Sequence, residues 1–132
     1  MLTPDIASDL AAASIGQIAI NVHDLERAVA FYRDALGLRF LFQPGPAMAF
    51  FGCGGVRLYL GKPERPEDDH LASVLYFKVP DIQAAHATLA GRGVAFEGDP
   101  HFVAKLPDHD LWLAFFRDSE ANLLALMSEV RP

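Results

Sequence analysis

The chain holds one cysteine, Cys53, which excludes an intrachain disulfide and any cysteine-based zinc site. A chain so poor in thiols is expected in a reducing cytoplasm. Basic charge is also scarce. Eleven Lys and Arg face seventeen Asp and Glu, a formal net charge of −6, so the surface lacks the basic stripe that nucleic acid requires. Part of the acid excess lies in Glu64-Arg65-Pro66-Glu67-Asp68-Asp69, read as a solvated loop. Long apolar runs are absent. No stretch approaches the roughly 20 residues of a membrane helix, and the first sixteen residues lack the basic start and apolar run of a signal peptide. A soluble protein with neither membrane nor nucleic-acid partners is expected.

What is present suits one domain. A chain of 132 residues, 52% hydrophobic, can bury a core without disulfides or structural metal. Thr3-Pro4-Asp5 is a helix-start signal, so residues 1–15 are expected to be a helical extension. Gln17–Val22 alternates as a strand with Ile18, Ile20 and Val22 on the core face. Asp24 caps a helix in which Leu25, Ala28, Val29, Tyr32 and Leu36 recur at helical spacing, and Gly37 ends it. Strand resumes over Leu38–Phe42. Ala47–Phe51 and Val56–Leu60 form a hairpin around Gly52-Cys53-Gly54-Gly55.

The pattern then recurs. Val74–Val79 repeats the first alternation, and Val79-Pro80-Asp81-Ile82 answers Val22-His23-Asp24-Leu25 at an offset of 57. Gly93–Phe96 answers Gly37–Phe40, Ala114-Phe115-Phe116 answers Ala49-Phe50-Phe51, and Leu124-Ala125-Leu126 answers Leu58-Tyr59-Leu60. Two strand–helix–strand–strand–strand copies, residues 16–61 and 73–129 within a domain spanning 16–132, give an α+β fold of tandem βαβββ modules. One helix covers one face of each sheet, so the other faces must find different cover. Curved together as a mixed sheet, they would enclose a small-molecule cleft.

The residues Ile20-Asn21-Val22-His23-Asp24-Leu25, Phe31-Tyr32, Leu36-Gly37-Leu38, Val79-Pro80-Asp81-Ile82, Phe116-Arg117-Asp118 and Asn122-Leu123-Leu124 carry a resemblance. The chain resembles the glyoxalase / bleomycin-resistance / extradiol-dioxygenase (vicinal oxygen chelate) superfamily over about residues 16–129. The resemblance implies the fold just described. It leaves function open, because this fold hosts lyases, isomerases, dioxygenases and binding proteins. It also implies four metal-ligand positions, which fall on Gln17, Tyr59 (or Leu58 after a one-residue slip), Val74 and Ala125. Only Gln17 is an ordinary ligand. A tyrosine ionises near pH 10, about 4 kcal/mol away at neutral pH, and Val74 and Ala125 have no donor atoms. No metal and no cofactor are therefore expected. Where the resembling family reads Asp-Pro-x-Gly-Asn in the last hairpin, this chain has Asp118-Ser119-Glu120-Ala121-Asn122, so a left-handed backbone there would strain Ala121.

The remaining candidates come from alternation. Gln17, Tyr59 and Tyr76 offer an amide and two phenols on the faces away from the helices. Ala125 marks the space of a lost ligand, and Arg57 lies near a strand end. His109, in Pro107-Asp108-His109-Asp110, pairs an imidazole with carboxylates. His23 is placed in a strand–helix turn, His86 on a helix, and His70, His101 and His109 in loops. No two of the five histidines have the i, i+4 spacing of a helical metal motif. Cys53 is read as an inert thiol, and no catalytic triad can be assembled. Three functions stay open: a metal-independent small-molecule binding protein, an enzyme (lyase, isomerase or dioxygenase) using a relocated metal or acid/base side chains, and a subunit whose cleft is closed. The first is preferred, with a neutral, partly aromatic or carbonyl-bearing ligand. A homodimer is expected from the free sheet edges and the commonness of two-fold symmetry.

Overall fold

The computed structural model describes residues 9–131. The elements run β1 (Gln17–Asn21), α1 (Leu25–Ala30), β2 (Arg39–Gly45), β3 (Met48–Cys53), β4 (Val56–Gly61), β5 (Leu75–Lys78), α2 (Ile82–Gly91), β6 (His101–Lys105), β7 (Asp110–Arg117) and β8 (Leu123–Val130). Among the described residues they make two four-stranded sheets, ordered β1-β4-β3-β2 and β5-β8-β7-β6. In each sheet the first strand lies parallel to the last and the remaining neighbours are antiparallel. This is the α+β tandem βαβββ fold expected from the repeat.

Both helices start on an aspartate whose side chain accepts a backbone N–H: Asp24 from Arg27 at 3.0 Å and Asp81 from Ala84 at 3.1 Å. Each cap contributes about 1 kcal/mol. The helix expected to reach Leu36 is α-helical only to Ala30. Phe31–Ala35 widen into a π turn, closed by the Leu36 N–H on the Phe31 carbonyl at 3.0 Å. Gly37 then takes φ +74°, a conformation open to glycine at little cost.

One core serves both modules. Ile20, Val22, Leu25, Ala28, Tyr32, Phe51, Leu58 and Leu60 from the first join Ile82, Leu89, Ala114, Phe116, Leu124 and Leu126 from the second. The helix-covered faces of both sheets thus look toward each other with the helices between them. The Arg92 guanidinium donates to the Ala35 carbonyl at 3.4 Å where the two helices end. The uncovered faces therefore point outward on opposite sides. β1 and β5, the expected centre of a cleft, are free edges, and Ala19 in mid-β1 is exposed. Within one chain the two uncovered faces do not meet, so they do not wall one cleft between them.

Three local readings need correction. The expected N-terminal helix falls mostly outside the described residues, and residues 9–12 are bend and turn, with irregular chain from 13 to 16. Gly93–Phe96 is not a strand. Phe96 makes a single bridge to Phe116, and the second strand of module two comes later, at His101–Lys105. His101 is thus a strand residue and not a loop residue. The Ala121 conformation is as the sequence suggested, at φ 66°.

Candidate functional site

Strand register sets the chemistry of the uncovered face of the first sheet. Gln17, Arg57, Gly52 and Arg39 are successive neighbours across β1, β4, β3 and β2. One row along lie Ala19, Tyr59, Phe50 and Phe42. Phe42 stacks on Phe50 with ring centroids 4.7 Å apart, and Phe50 meets Tyr59 at 5.1 Å. The Arg57 guanidinium lies 5.3 Å from the Phe50 centroid and donates through Nε to Gln17 Oε1 at 2.9 Å. Gly61, the next residue on this face, gives the Tyr59 ring its place. A Cβ there would come 2.5 Å from the ring, closer than real contacts allow. Asn21 closes the end of the face by donating to the Asp68 carbonyl of the inter-module linker at 2.6 Å. At the opposite end Arg39, Leu41, Gly52 and Arg57 line a groove of about 390 Å³ that reaches the β3–β4 turn.

The uncovered face of the second sheet carries Tyr76, Ala125 and Phe115 in one row. The Tyr76 and Phe115 rings meet edge-on at 6.1 Å, although their strands flank β8 at about 10 Å apart. They lean together over Ala125, which is fully buried. Ala125 therefore holds no open space of its own. Tyr76 is 49% exposed. At the end of this sheet Lys78 Nζ reaches Glu129 at 2.9 Å, and this contact first of all holds the Glu129 carboxyl below its ordinary range. His109 Nδ1 sits 2.7 Å from Asp108, and Nε2 lies 3.8 Å from Glu129. His109 is thus engaged by surface carboxylates. The bond from His109 chiefly depresses the Asp108 carboxyl.

The six expected site residues form two groups. Gln17, Arg57 and Tyr59 share the first uncovered face. Tyr76 and Ala125 share the second, with His109 beyond them at its end. No hydrogen bond, ion pair or ring contact joins the two groups among the described residues. Arg39, which alternation did not single out, stands two strands from Arg57 across Gly52.

The metal positions implied by the fold do not fit a cation. Gln17 Oε1 is occupied by the Arg57 guanidinium, whose charge would oppose any divalent ion bound beside it. Val74 and Ala125 supply no lone pair, and no group of three His, Cys, Asp or Glu converges among the described residues. Burial raises the Cys53 thiol, which suits an inert side chain.

A separate polar cluster joins the modules. His23 Nε2 lies 2.8 Å from Asp69 of the linker and Nδ1 3.1 Å from Glu120 of the β7–β8 turn. The Asp69 hydrogen bond and charge, then those of Glu120, raise the His23 pKa. Burial pushes the Glu120 carboxyl up, but the N–H groups of His23 and Asp24 and the side chains of Arg27 and His23 outweigh it and hold Glu120 below its usual range. Beneath, the Tyr32 hydroxyl donates to Asp118 at 2.6 Å. Burial, then the Asp118 charge, keeps that phenol protonated far above neutrality.

Comparison with known proteins places this geometry. A protein of Bacillus subtilis (strain 168), YraH, is 29% identical over 126 residues, an alignment covering 83% of this chain and 94% of that protein. The solved structure of TnmS3, an antibiotic-binding protein from Streptomyces sp. CB03234, is similar with TM-score 0.72 and 25% identity, over 92% of this chain and 99% of that one. The lactoylglutathione lyase from Agrobacterium tumefaciens has TM-score 0.71 at 20% identity, over 88% and 93% of the two chains, and shows the shared fold. The family model for the Glyoxalase/Bleomycin resistance protein/Dioxygenase superfamily matches residues 14–126, and the chain belongs to that superfamily.

Proposed function

We propose that the protein binds a small molecule without metal, on the uncovered sheet faces, with a second copy of the chain supplying the missing wall. The observation that carries the reading is the first uncovered face itself. The Phe42–Phe50–Tyr59 row and the Gln17–Arg57 pair form an aromatic surface with fixed polar tips, in the place where the fold implies metal ligands. Concave apolar surfaces with a few oriented polar groups are how proteins hold small ligands. The likeness to an antibiotic-binding protein supports binding over catalysis.

The dimer follows from the same geometry. One chain presents two outward faces, and β1 and β5 are each a free edge of their sheet. Setting the first sheet of one copy beside the second sheet of another would bring Gln17, Arg57 and Tyr59 opposite Tyr76, and two-fold symmetry would make two such sites. Untagged protein should sediment as a dimer at micromolar concentration and carry far less than one equivalent of nickel, zinc, iron or manganese by elemental analysis. A monomer at high concentration would sink the shared-cleft part. Stoichiometric metal whose removal lowers the melting temperature would sink the metal-independent part.

A further inference from the structure

We infer that the ligand is an arylcarboxylate: its anionic group sits between Arg39 and Arg57 over Gly52, and its ring lies on the neighbouring Phe42–Phe50–Tyr59 row. The inference deepens the reading above and rests on the first uncovered face being the binding surface.

Charge distribution points to an anion. The chain has a net charge of −6, yet the four strands of the first sheet contain no aspartate or glutamate and two arginines. Most of the other cations are paired with carboxylates, among them Arg27, Arg33, Arg65, Lys78, Lys105, Arg117 and Arg131. Arg39 and Arg57 have no carboxylate partner among the described residues. They are also the two that share a row of one sheet face. An acidic protein that keeps two guanidiniums together and unneutralised holds a local positive potential there, which favours a negative ligand. Guanidinium forks match a carboxylate in shape as well as charge.

The space between them is shaped for such a group. Gly52 separates Arg39 from Arg57 in the register and brings no side chain of its own, so only Leu41 leans into the gap. Leu41, 3.5 Å from where a Gly52 Cβ would stand, forms an apolar wall of the groove. Arg57 is already oriented, gripped by Gln17 Oε1 on one side and laid against the Phe50 ring on the other. Gln17 Oε1 is taken by that bond, which leaves its amide N–H groups as further donors toward an anion.

The ring row sets the rest of the molecule. Residues two apart on one strand face lie about 7 Å apart. A carboxylate over Gly52 therefore places a ring one short spacer away over Phe50, where it meets the already stacked row edge-on, a favourable aromatic contact. A cinnamate-like outline spans that distance. A polyphosphate would leave the ring row uncovered and a simple hydrocarbon would leave both arginines unanswered. The neutral ligand expected from Gln17, Tyr59 and Tyr76 alone did not take Arg39 into account.

The test uses the untagged, full-length protein and two probes of one shape, cinnamate and uncharged cinnamamide, in calorimetric titrations at low salt. Cinnamate should bind at least about tenfold tighter, the margin expected for hydrogen bonds to a charged group. Arg39→Met and Arg57→Met should each remove most of that margin, weakening cinnamate far more than cinnamamide. Lys62→Met, which deletes a positive charge outside the groove, should leave the margin intact. Equal affinities for the two probes would overturn the inference. So would an equal loss of cinnamate binding in Lys62→Met. If neither probe binds, the arylcarboxylate inference fails. A neutral ligand from a broad screen that weakens with Tyr59→Phe would then keep the binding reading alone, and a screen with no hit would remove both.

Discussion

Replacing Ala121 by glycine should stabilise the protein. Ala121 holds φ 66° in the β7–β8 turn. That left-handed region costs an L-residue about 1–2 kcal/mol. The turn has little freedom to relax. Asp118 Oδ1 accepts the N–H groups of Glu120 at 2.8 Å and Asn122 at 2.9 Å, and the Ala121 N–H donates to the Asp118 carbonyl at 3.1 Å. Ala121 is exposed, so deleting its methyl loses no packing. Against the relieved strain stands the greater unfolded-state freedom of glycine, about 0.4–1 kcal/mol. The net gain should be about 0.5–1 kcal/mol. With a melting entropy of about 2.1 cal/mol/K per residue, a chain of 132 residues should melt about 2–4 °C higher. Calorimetric melting of Ala121→Gly, with urea titration for the free energy, measures this. Ala121→Val, β-branched at the same backbone angle, should melt lower than the parent. If the glycine variant melts no higher, the strain assigned to this turn is wrong.

The His23 cluster should make stability depend on pH. His23 has a raised pKa in the folded protein, so its contribution is complete below the ordinary value of 6.5 and is lost as pH rises through the folded value. Between about pH 6 and pH 9 the parent should lose more melting temperature than His23→Gln; parallel curves would deny the clamp. Tyr32→Phe removes one of four hydrogen bonds to the buried Asp118 carboxylate, the others coming from Asn122 Nδ2 and two backbone N–H groups. Urea unfolding should show a loss of about 1.5–3 kcal/mol, and a loss below about 0.5 kcal/mol would mean the pair is not dry. Gly61→Ala should push the Tyr59 ring off its stacking position, weakening ligand binding more than stability; unchanged binding would show that Tyr59 does not need that place.

Local rules carried the fold far. Period-two alternation fixed the core faces of β1, β4 and β8, and the offset of 57 between Asp24 and Asp81 located both helix caps. What escaped lay where periodicity breaks. A register shift between Phe40 and Phe42 places Phe42 beside Phe50 on the uncovered face, whereas simple alternation from Leu38 gives it to the core. Arg39 obeys the alternation from Leu38, and only the long-range register across Gly52 sets it in one row with Arg57. A second shift, between Phe102 and Ala104, disguised β6 as loop. Ala125 looked like vacant space because a small residue says nothing of the rings beside it. The back-to-back placing of the two sheets is a matter of which faces meet at long range, and both arrangements bury the same alternating residues. Spacing along the chain therefore could not distinguish a cleft closed within one chain from one that needs two.

Metal-free binding on the first uncovered face can be measured by titrating the tightest ligand from a thermal-shift screen into parent and Tyr59→Phe protein, each with and without chelator. Chelator should leave the parent affinity unchanged, and Tyr59→Phe should weaken it several-fold while the melting temperature holds. Binding abolished by chelator, or indifferent to Tyr59, would contradict metal-free binding on this face.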